Sequence, residues 1–228
     1  MRLPLIWIDS RAPAEALQNL QPWGTVVEFA TQGIVYDTIS GHPDIFMYQW
    51  PGGLVLAPDL PEHYLQKLLH TGVSVKVGES KLGKSYPQTA HYNACYTSYG
   101  ILHNKNISGN AIKETHSHFI HCAQGYARCN ALEVAGCIIT SDRGIHKTLT
   151  ERRIPCFFAD PGSVKLHGVK HGFFPGCCGY FNHTLFVCGS LDSLKDAPLL
   201  RQQLLERGVE IVEIFSGPLI DVGGIFFI

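Results

Sequence analysis

Two short segments of the chain carry side chains that could supply a nucleophile, an acid–base group and a carboxylate. The first reads His42-Pro43-Asp44, and the second ends in Arg128-Cys129. A thiol becomes a strong nucleophile when a neighbouring imidazole or cation lowers its pKa, and an imidazole itself titrates near neutrality. A carboxylate accepts strong hydrogen bonds from a cationic group. These residue types would together suit covalent catalysis on a cationic substrate.

The same residues also have structural interpretations. Asp44 and Asn130 are of a type that commonly bonds to the backbone at turns and strand starts. The pair His42-Pro43 suits a turn, and Cys129 in apolar surroundings behaves as a small hydrophobic side chain. Because short motifs often match by chance, residue types alone leave both interpretations open.

Composition limits the class of protein. The 228 residues are 45% hydrophobic and 16% charged, below the usual quarter, which excludes a disordered chain or a coiled coil. The net charge of −1 shows no basic surplus, so we expect no nucleic-acid partner. No apolar run approaches the 18 or so residues of a membrane span, and the N-terminus has no secretory pattern. We therefore expect no membrane contact, a cytoplasmic location and eight free thiols.

An internal repeat supplies the elements that must position the candidate residues. Each unit reads strand, turn, strand, polar cap, amphipathic helix, strand. Its second half is clearest in the segments that begin at Val55, Ile138 and Leu185; the N-terminus is a fourth copy and the segment from Ile101 a weaker fifth. Helix caps are predicted at Asp9, Asp59, Asn104, Asp142 and Ser190 or Asp192.

The first strand of each unit carries a second signature, an Asp or Asn at its start. These residues are Asp44, Asn93, Asn130 and Asn182, and Asp221 in the C-terminal DVGGIFFI supplies the strand that the first unit lacks. The simplest geometry is one α/β domain over residues 1–228. In it, five ββαβ units form a pseudo-symmetric ring, and the C-terminal strand closes the ring beside the first strand and removes sheet edges. The alternative is an open α/β sheet with accidental similarity.

A five-unit αβ ring resembles the pentein fold, the αβ-propeller of guanidino-group-modifying enzymes. This superfamily includes deiminases, dimethylarginine hydrolases and amidinotransferases, and also the non-enzymatic ribosome anti-association factor. His42-Pro43-Asp44 looks like the H-x-D motif of the deiminases. The segment Gly125 to Cys129 resembles their nucleophile loop, roughly G-G-x-R/H-C, with Tyr126 in place of the second glycine. The resemblance favours a bacterial branch of this superfamily.

The order of the motifs agrees with the superfamily around the ring but not along the chain. Asp221 lies one unit before His42, like the substrate-binding Asp of the deiminases, and Cys129 lies two units after it. The deiminase cysteine normally stands at the C-terminal strand, where this chain has Gly223 to Phe227 and no thiol. Either the catalytic thiol is lost, or the site is rotated around the ring to Cys129.

The resemblance implies roles for four residues. Asp44 and Asp221 would bind the planar guanidinium, and Cys129 would attack its carbon to give a covalent thiouronium intermediate. His42 would protonate the leaving amine and then activate water. The implied function is that of a cysteine-dependent hydrolase or transferase, similar to a deiminase, that acts on a small guanidino or amidino compound without a cofactor or metal.

Other residues are weaker candidates for the same site. Asn130 and Asn182, at their strand starts, and Glu28, on a return strand, are further substrate-binding candidates. His183 follows a loop rich in glycine and proline and is a reserve candidate for the acid–base group.

Two alternatives to a cysteine enzyme stay open. The missing C-terminal thiol favours a catalytically inactive binding protein of the same fold, with a protein partner of unknown identity. A metal enzyme would instead use a dense tract of possible ligands, although incidental histidines at the start of a strand are the preferred interpretation. The tract comprises His116, His118, His121 and Cys122.

Overall fold

The computed structural model describes residues 3–228 of the chain, and fifteen strands in this range form five three-stranded sheets. The strands are β1 (Leu5–Asp9), β2 (Thr25–Phe29), β3 (Met47–Trp50), β4 (Gly53–Leu56), β5 (Val75–Val77), β6 (Cys95–Thr97), β7 (Gly100–His103), β8 (Phe119–His121), β9 (Ala131–Val134), β10 (Cys137–Thr140), β11 (Cys156–Phe158), β12 (Cys178–Phe181), β13 (Thr184–Val187), β14 (Glu210–Glu213) and β15 (Phe226–Phe227).

Seven α-helices lie in the same range: α1 (Ala14–Leu20), α2 (Pro43–Phe46), α3 (Glu62–Leu69), α4 (Asn110–Lys113), α5 (Ala127–Asn130), α6 (Arg143–Glu151) and α7 (Ala197–Glu206). Short 3-10 helices occur at Gln21–Trp23, Asp37–Ile39, Gln88–Ala90, Pro161–Ser163, Phe174–Cys177 and Leu191–Ser193. Among the described residues, no helix combines the length and apolarity that a membrane crossing requires.

All five sheets repeat one topology. An opening strand pairs antiparallel with a central strand, as in β3–β4, and a helix then crosses over to a third strand parallel to the centre, as in β4–β5. A parallel pair requires such a crossover, whereas an antiparallel pair needs only a tight turn. The predicted ββαβ unit is therefore confirmed.

The C-terminal strand closes the ring. β15 pairs antiparallel with β1, with Ile6 opposite Phe227 and Trp7 opposite Phe226. The backbone groups of Leu5 and Ile228 exchange two further hydrogen bonds of 2.7 and 2.9 Å. The chain thus forms the predicted five-unit αβ-propeller, and closure gives the first unit its opening strand.

The repeat predicted the crossover helices, but most of the predicted caps are wrong. Asp142 does cap α6, where its side chain accepts a 2.8 Å hydrogen bond from the Ile145 backbone N–H. The N-cap positions of α1 and α3 are instead the prolines Pro13 and Pro61. Proline is tolerated at a helix start because the first N–H groups of a helix have no partner within it.

The other predicted caps bond elsewhere. Asp59 accepts the Leu82 N–H, and the N-cap of the one-turn helix α4 is Gly109 rather than Asn104. Ser190 caps only the 3-10 helix Leu191–Ser193. Asp9 accepts hydrogen bonds from Arg11, a contact that becomes important at the site.

The strand-start signature also needs correction. Asp44 and Asn130 lie in the one-turn helices α2 and α5, which immediately precede β3 and β9. Asn182 does not precede an opening strand. It forms the tight turn between β12 and β13 together with His183, with φ of +48° and +59°. Asn tolerates this left-handed conformation well, which explains its place in the turn.

The opening strands β3, β6, β9, β12 and β15 surround the centre of the ring. Because the units repeat one topology, the N-terminal ends of these strands meet at one end of the ring axis, and the hairpin turns that follow β3, β6, β9 and β12 meet at the other. The crossover helices pack their apolar faces on the sheets; α6, for example, buries Ile145 and Leu149. The two ends of the ring axis therefore present different residues.

Candidate functional site

Cys129 lies in α5 at the N-terminal end of the opening strands. Its thiol donates a hydrogen bond to Asp44 Oδ2 at 2.8 Å and accepts one from the Asn93 amide at 3.2 Å. Asp44 lies in α2, one short turn before β3. The repeat therefore brings a thiol and a carboxylate that are 85 residues apart in sequence into direct contact.

Asn93 holds this arrangement together. Its Oδ1 accepts the backbone N–H groups of Arg128 and Cys129, at 2.8 and 3.1 Å, and its Nδ2 donates to the Asp44 carbonyl at 3.1 Å. One fully buried side chain thus links the second, third and fourth units. Sequence reasoning placed Asn93 among the residues that begin opening strands but not among the site residues. Its place in that repeated signature was the available signal.

His42 completes a three-residue cluster. Its ring, the Asp44 carboxylate and the Cys129 thiol each place one ligand-type atom within 4.8 Å of the others. The buried ring nitrogens have no hydrogen-bond partner, although Nε2 lies 3.8 Å from Asp9 Oδ2. Asp9 is itself fixed by the Arg11 backbone and guanidinium. The imidazole is therefore placed between two carboxylates and beside the thiol.

Asp221 is held at the same centre by the backbone. Its Oδ1 accepts the Gly223 N–H at 3.0 Å and its Oδ2 accepts the Phe173 N–H at 2.9 Å. A Cβ at Gly176 would lie 2.2 Å from Asp221 Oδ1, so only glycine allows the carboxylate to approach this segment. The structure thus places Asp221 in a fixed orientation.

Burial dominates the electrostatics of the cluster. It raises the pKa of Asp44 to about 6, against the lowering effects of His42 and the Cys129 hydrogen bond. It also raises the pKa of Asp221, although His42 and two backbone N–H groups oppose this. The pKa of the Cys129 thiol is raised well above its usual value, first by burial and then by the charges of Asp44 and Asp221. The thiol therefore rests protonated, and a cation between the two carboxylates would favour the thiolate.

Arg128, the neighbour of the thiol in sequence, bonds to the backbone of the fifth unit, and its charge lowers the pKa of both Asp44 and Asp221. Its guanidinium donates to the carbonyls of Pro175 and Cys178, both at 3.1 Å, and lies 5.2 Å from the centroid of the Phe226 ring. The side chain ties the fourth unit to the fifth and the first. The sequence motif contained this arginine without assigning it a role.

The structure brings four of the candidate residues to one centre and leaves others outside it. His42, Asp44, Cys129 and Asp221 are together and are each at most 5% exposed. Asn130 is buried next to Cys129 in sequence, but its amide donates to the Tyr126 carbonyl. The remaining candidates lie away from this centre. Glu28 is exposed on β2, and Asn182 and His183 are exposed in the β12–β13 turn at the other end of the strands.

The histidine-rich tract does not assemble into a ligand set. The Cys122 thiol donates to the Gln124 carbonyl, and burial raises its pKa to about 12. His121 Nδ1 accepts the Lys105 N–H. Within residues 3–228, the one group of three or more His, Cys, Asp or Glu side chains close enough to share a metal ion is the His42, Asp44 and Cys129 cluster itself.

Residues 7–226 match the profile of a family of unknown function, DUF6873. The chain belongs to the DUF6873 family. No relative was found among curated proteins.

Comparison with solved structures identifies the fold of this DUF6873 chain. A Cys-to-Ser variant of Pseudomonas aeruginosa DDAH complexed with citrulline has a TM-score of 0.54 at 7% identity, over 95% of this chain and 93% of that one. C. jejuni agmatine deiminase has a TM-score of 0.52 at 7% identity, over 96% and 91%. An adduct of dimethylarginine dimethylaminohydrolase with 4-chloro-2-hydroxymethylpyridine has a TM-score of 0.53 at 10% identity, over 95% and 93%. At these identities the likeness establishes the pentein fold and not the activity.

Proposed function

We propose that this protein is a cysteine-dependent enzyme that acts on a small guanidino or amidino compound, by hydrolysis in the first instance. The observation that carries the proposal is the contact between the Cys129 thiol and the Asp44 carboxylate, with His42 beside both. The fold adds support, since the similar structures include an agmatine deiminase and a DDAH variant complexed with citrulline.

Two carboxylates suit the substrate's charge and shape. A guanidinium is planar and cationic, and it matches carboxylates that accept paired N–H donors. Asp44 Oδ1 is buried without a partner, so it has the capacity to accept such a bond. Asp221 is held beside it by backbone donors. A bound cation offsets the two negative charges that raise the pKa of the Cys129 thiol, so substrate binding itself promotes formation of the thiolate.

The reaction then runs in two balanced halves. The Cys129 thiolate attacks the guanidinium carbon, and an S–C bond forms while His42 receives the thiol proton. Cleavage of a C–N bond releases ammonia or an amine, which takes that proton from His42, and leaves a thiouronium intermediate. Water, deprotonated by His42, attacks the same carbon. The S–C bond then breaks to release a ureido product and restore the thiol.

Asp9 has a positioning role in this scheme. A carboxylate near an imidazole stabilises the charged form that arises during proton transfer. Asp9 Oδ2 lies 3.8 Å from His42 Nε2 and is locked by Arg11, so it cannot swing away from the ring. Asp9, held by Arg11, thus keeps the His42 imidazole beside the Cys129 thiol.

Replacement of the thiol tests the proposal directly. Purified wild type, Cys129→Ala and Cys122→Ala would be incubated with a panel of guanidines and amidines while ammonia, amine and ureido products are quantified. Cys122 is a matched control, because it is also a buried thiol but lies outside the cluster. We expect turnover by wild type and Cys122→Ala, and none by Cys129→Ala at unchanged circular dichroism.

Intact-protein mass spectrometry adds a second measurement. A slow substrate or a reactive amidine should leave one covalent adduct on wild type and none on Cys129→Ala. Full activity of Cys129→Ala would refute the proposal. A folded wild-type protein that turns over no member of the panel and forms no adduct would favour a catalytically inactive binding protein of the same fold.

A further inference from the structure

A cavity opens at the end of the ring axis where the hairpin turns of the opening strands lie. Its volume is about 540 Å³, within the range of small-molecule sites. All five opening strands or the turns that follow them contribute to its walls, which include Gln49, Trp50, Tyr96, Glu133, Tyr180 and Phe226. Most of these residues lie toward the hairpin ends of their strands, whereas Cys129 lies before the start of β9. The cavity is therefore separate from the proposed catalytic cluster.

Arg128 is the cationic residue in the lining. It is only 8% exposed, and its guanidinium donates to the carbonyls of Pro175 and Cys178. Those two bonds use two of the five N–H groups of an arginine. Among the ion pairs of the described residues, none involves Arg128. The charge of Arg128 also lowers the pKa of Asp44 and Asp221, but its hydrogen-bond acceptors are neutral carbonyls, so this buried guanidinium has donors to offer an anion.

The other residues that line the cavity indicate the chemistry of the rest of the ligand. Trp50, Tyr96, Tyr180 and Phe226 supply aromatic surface from four different opening strands. Glu133 also lines the cavity, and its two carboxylate oxygens accept the Ser98 N–H and hydroxyl. A ligand with one anionic group can place it on Arg128 and keep an apolar body against the rings, away from the Glu133 charge.

We propose that this cavity binds a small organic anion, with its carboxylate or equivalent acidic group on Arg128 and a flat apolar body between the aromatic side chains. The site is distinct from the proposed guanidine site in both position and charge, because that site presents carboxylates to a cation whereas this one presents a guanidinium to an anion. Binding here does not depend on catalysis by Cys129.

Calorimetry with a charged and a neutral probe tests the assignment. Phenylacetate and phenylacetamide have the same shape and differ in charge. We expect phenylacetate to bind wild type at least about tenfold more tightly than the amide, the factor expected for one charge-assisted hydrogen bond. Cys129→Ala should bind phenylacetate as wild type does. Equal binding of both probes, or no phenylacetate binding, would overturn the proposal.

Variants expected to weaken phenylacetate binding and a variant expected to tighten it together test the location of the site, even if one of them folds poorly. Arg128→Met should lose phenylacetate binding, and Arg128→Lys should weaken it because a lysine lacks the planar fork. Glu133→Gln should tighten binding several-fold, since a nearby negative charge is removed while the amide oxygen still accepts the Ser98 N–H and the amide NH2 can donate to the Ser98 hydroxyl. Tyr180→Ala should weaken it through lost aromatic contact. Unchanged affinity in Glu133→Gln and Tyr180→Ala would place any bound phenylacetate elsewhere and reject this cavity as the site.

Discussion

Asp44→Asn should lose guanidine turnover. Its free energy of unfolding should increase relative to that of wild type as pH rises. Burial raises the pKa of the native Asp44 carboxyl from 3.8 to about 6. The native protein therefore retains a proton that the unfolded chain has already released between those two values. The free energy of unfolding of wild type then decreases as pH rises through this window, and roughly two pKa units correspond to about 3 kcal/mol. Asparagine has no charge to desolvate and lacks this contribution.

Urea denaturation at a series of pH values from 4 to 7.5 measures the effect. The free energy of unfolding of wild type minus that of Asp44→Asn should fall by up to about 3 kcal/mol across the series. Asp192→Asn is a control, because its carboxylate is 84% exposed and carries no burial penalty. The same Asp44→Asn protein should lose guanidine turnover. A difference that stays flat with pH would refute the electrostatic assignment of Asp44, whatever the activity.

Three further outcomes follow from the same site. In wild type, kcat/KM for a guanidine substrate should fall as pH decreases through about 6, because protonation of Asp44 removes an acceptor for the cation; a profile flat down to pH 5 would contradict this. Asn93→Ala should lower the free energy of unfolding by roughly 2–4 kcal/mol in urea titrations, since it leaves the Cys129 N–H and the Asp44 carbonyl without their partner and leaves the Arg128 N–H with the Asn93 backbone carbonyl alone. Gly176→Ala should lower the free energy of unfolding by about 1–3 kcal/mol in the same titrations, because its methyl group would collide with the Asp221 carboxylate. A variant as stable as wild type would show that this segment moves aside without cost.

The repeat made the architecture predictable. Strand, turn and crossover patterns recur with enough fidelity that the ββαβ unit and the closing strand follow from the residues. The same periodicity placed His42, Asp44 and Asp221 in cyclic positions that the structure brings together around Cys129. A ring fixes which unit faces which, so cyclic position carries spatial information that linear order does not.

Side-chain reach and local turn chemistry were not predictable in the same way. Asn93 and Arg128 act across units, and only the three-dimensional packing shows which carbonyls and N–H groups they meet. Asn182 matched the composition of a strand start but occupies a hairpin turn, where its tolerance of positive φ decides its place. The helix caps at Asp9 and Asp59 were wrong because prolines further along the chain precede the helices.

The burial of Cys129 also determines how the protein withstands oxidants. Peroxides react with thiolates rather than thiols, and a thiol held protonated by burial and by two carboxylates is a poor reductant. At rest the Cys129 thiol is thus protected from sulfenic acid formation. In the proposed mechanism the thiolate forms only when a cation binds, so oxidative inactivation should accompany substrate occupancy rather than precede it.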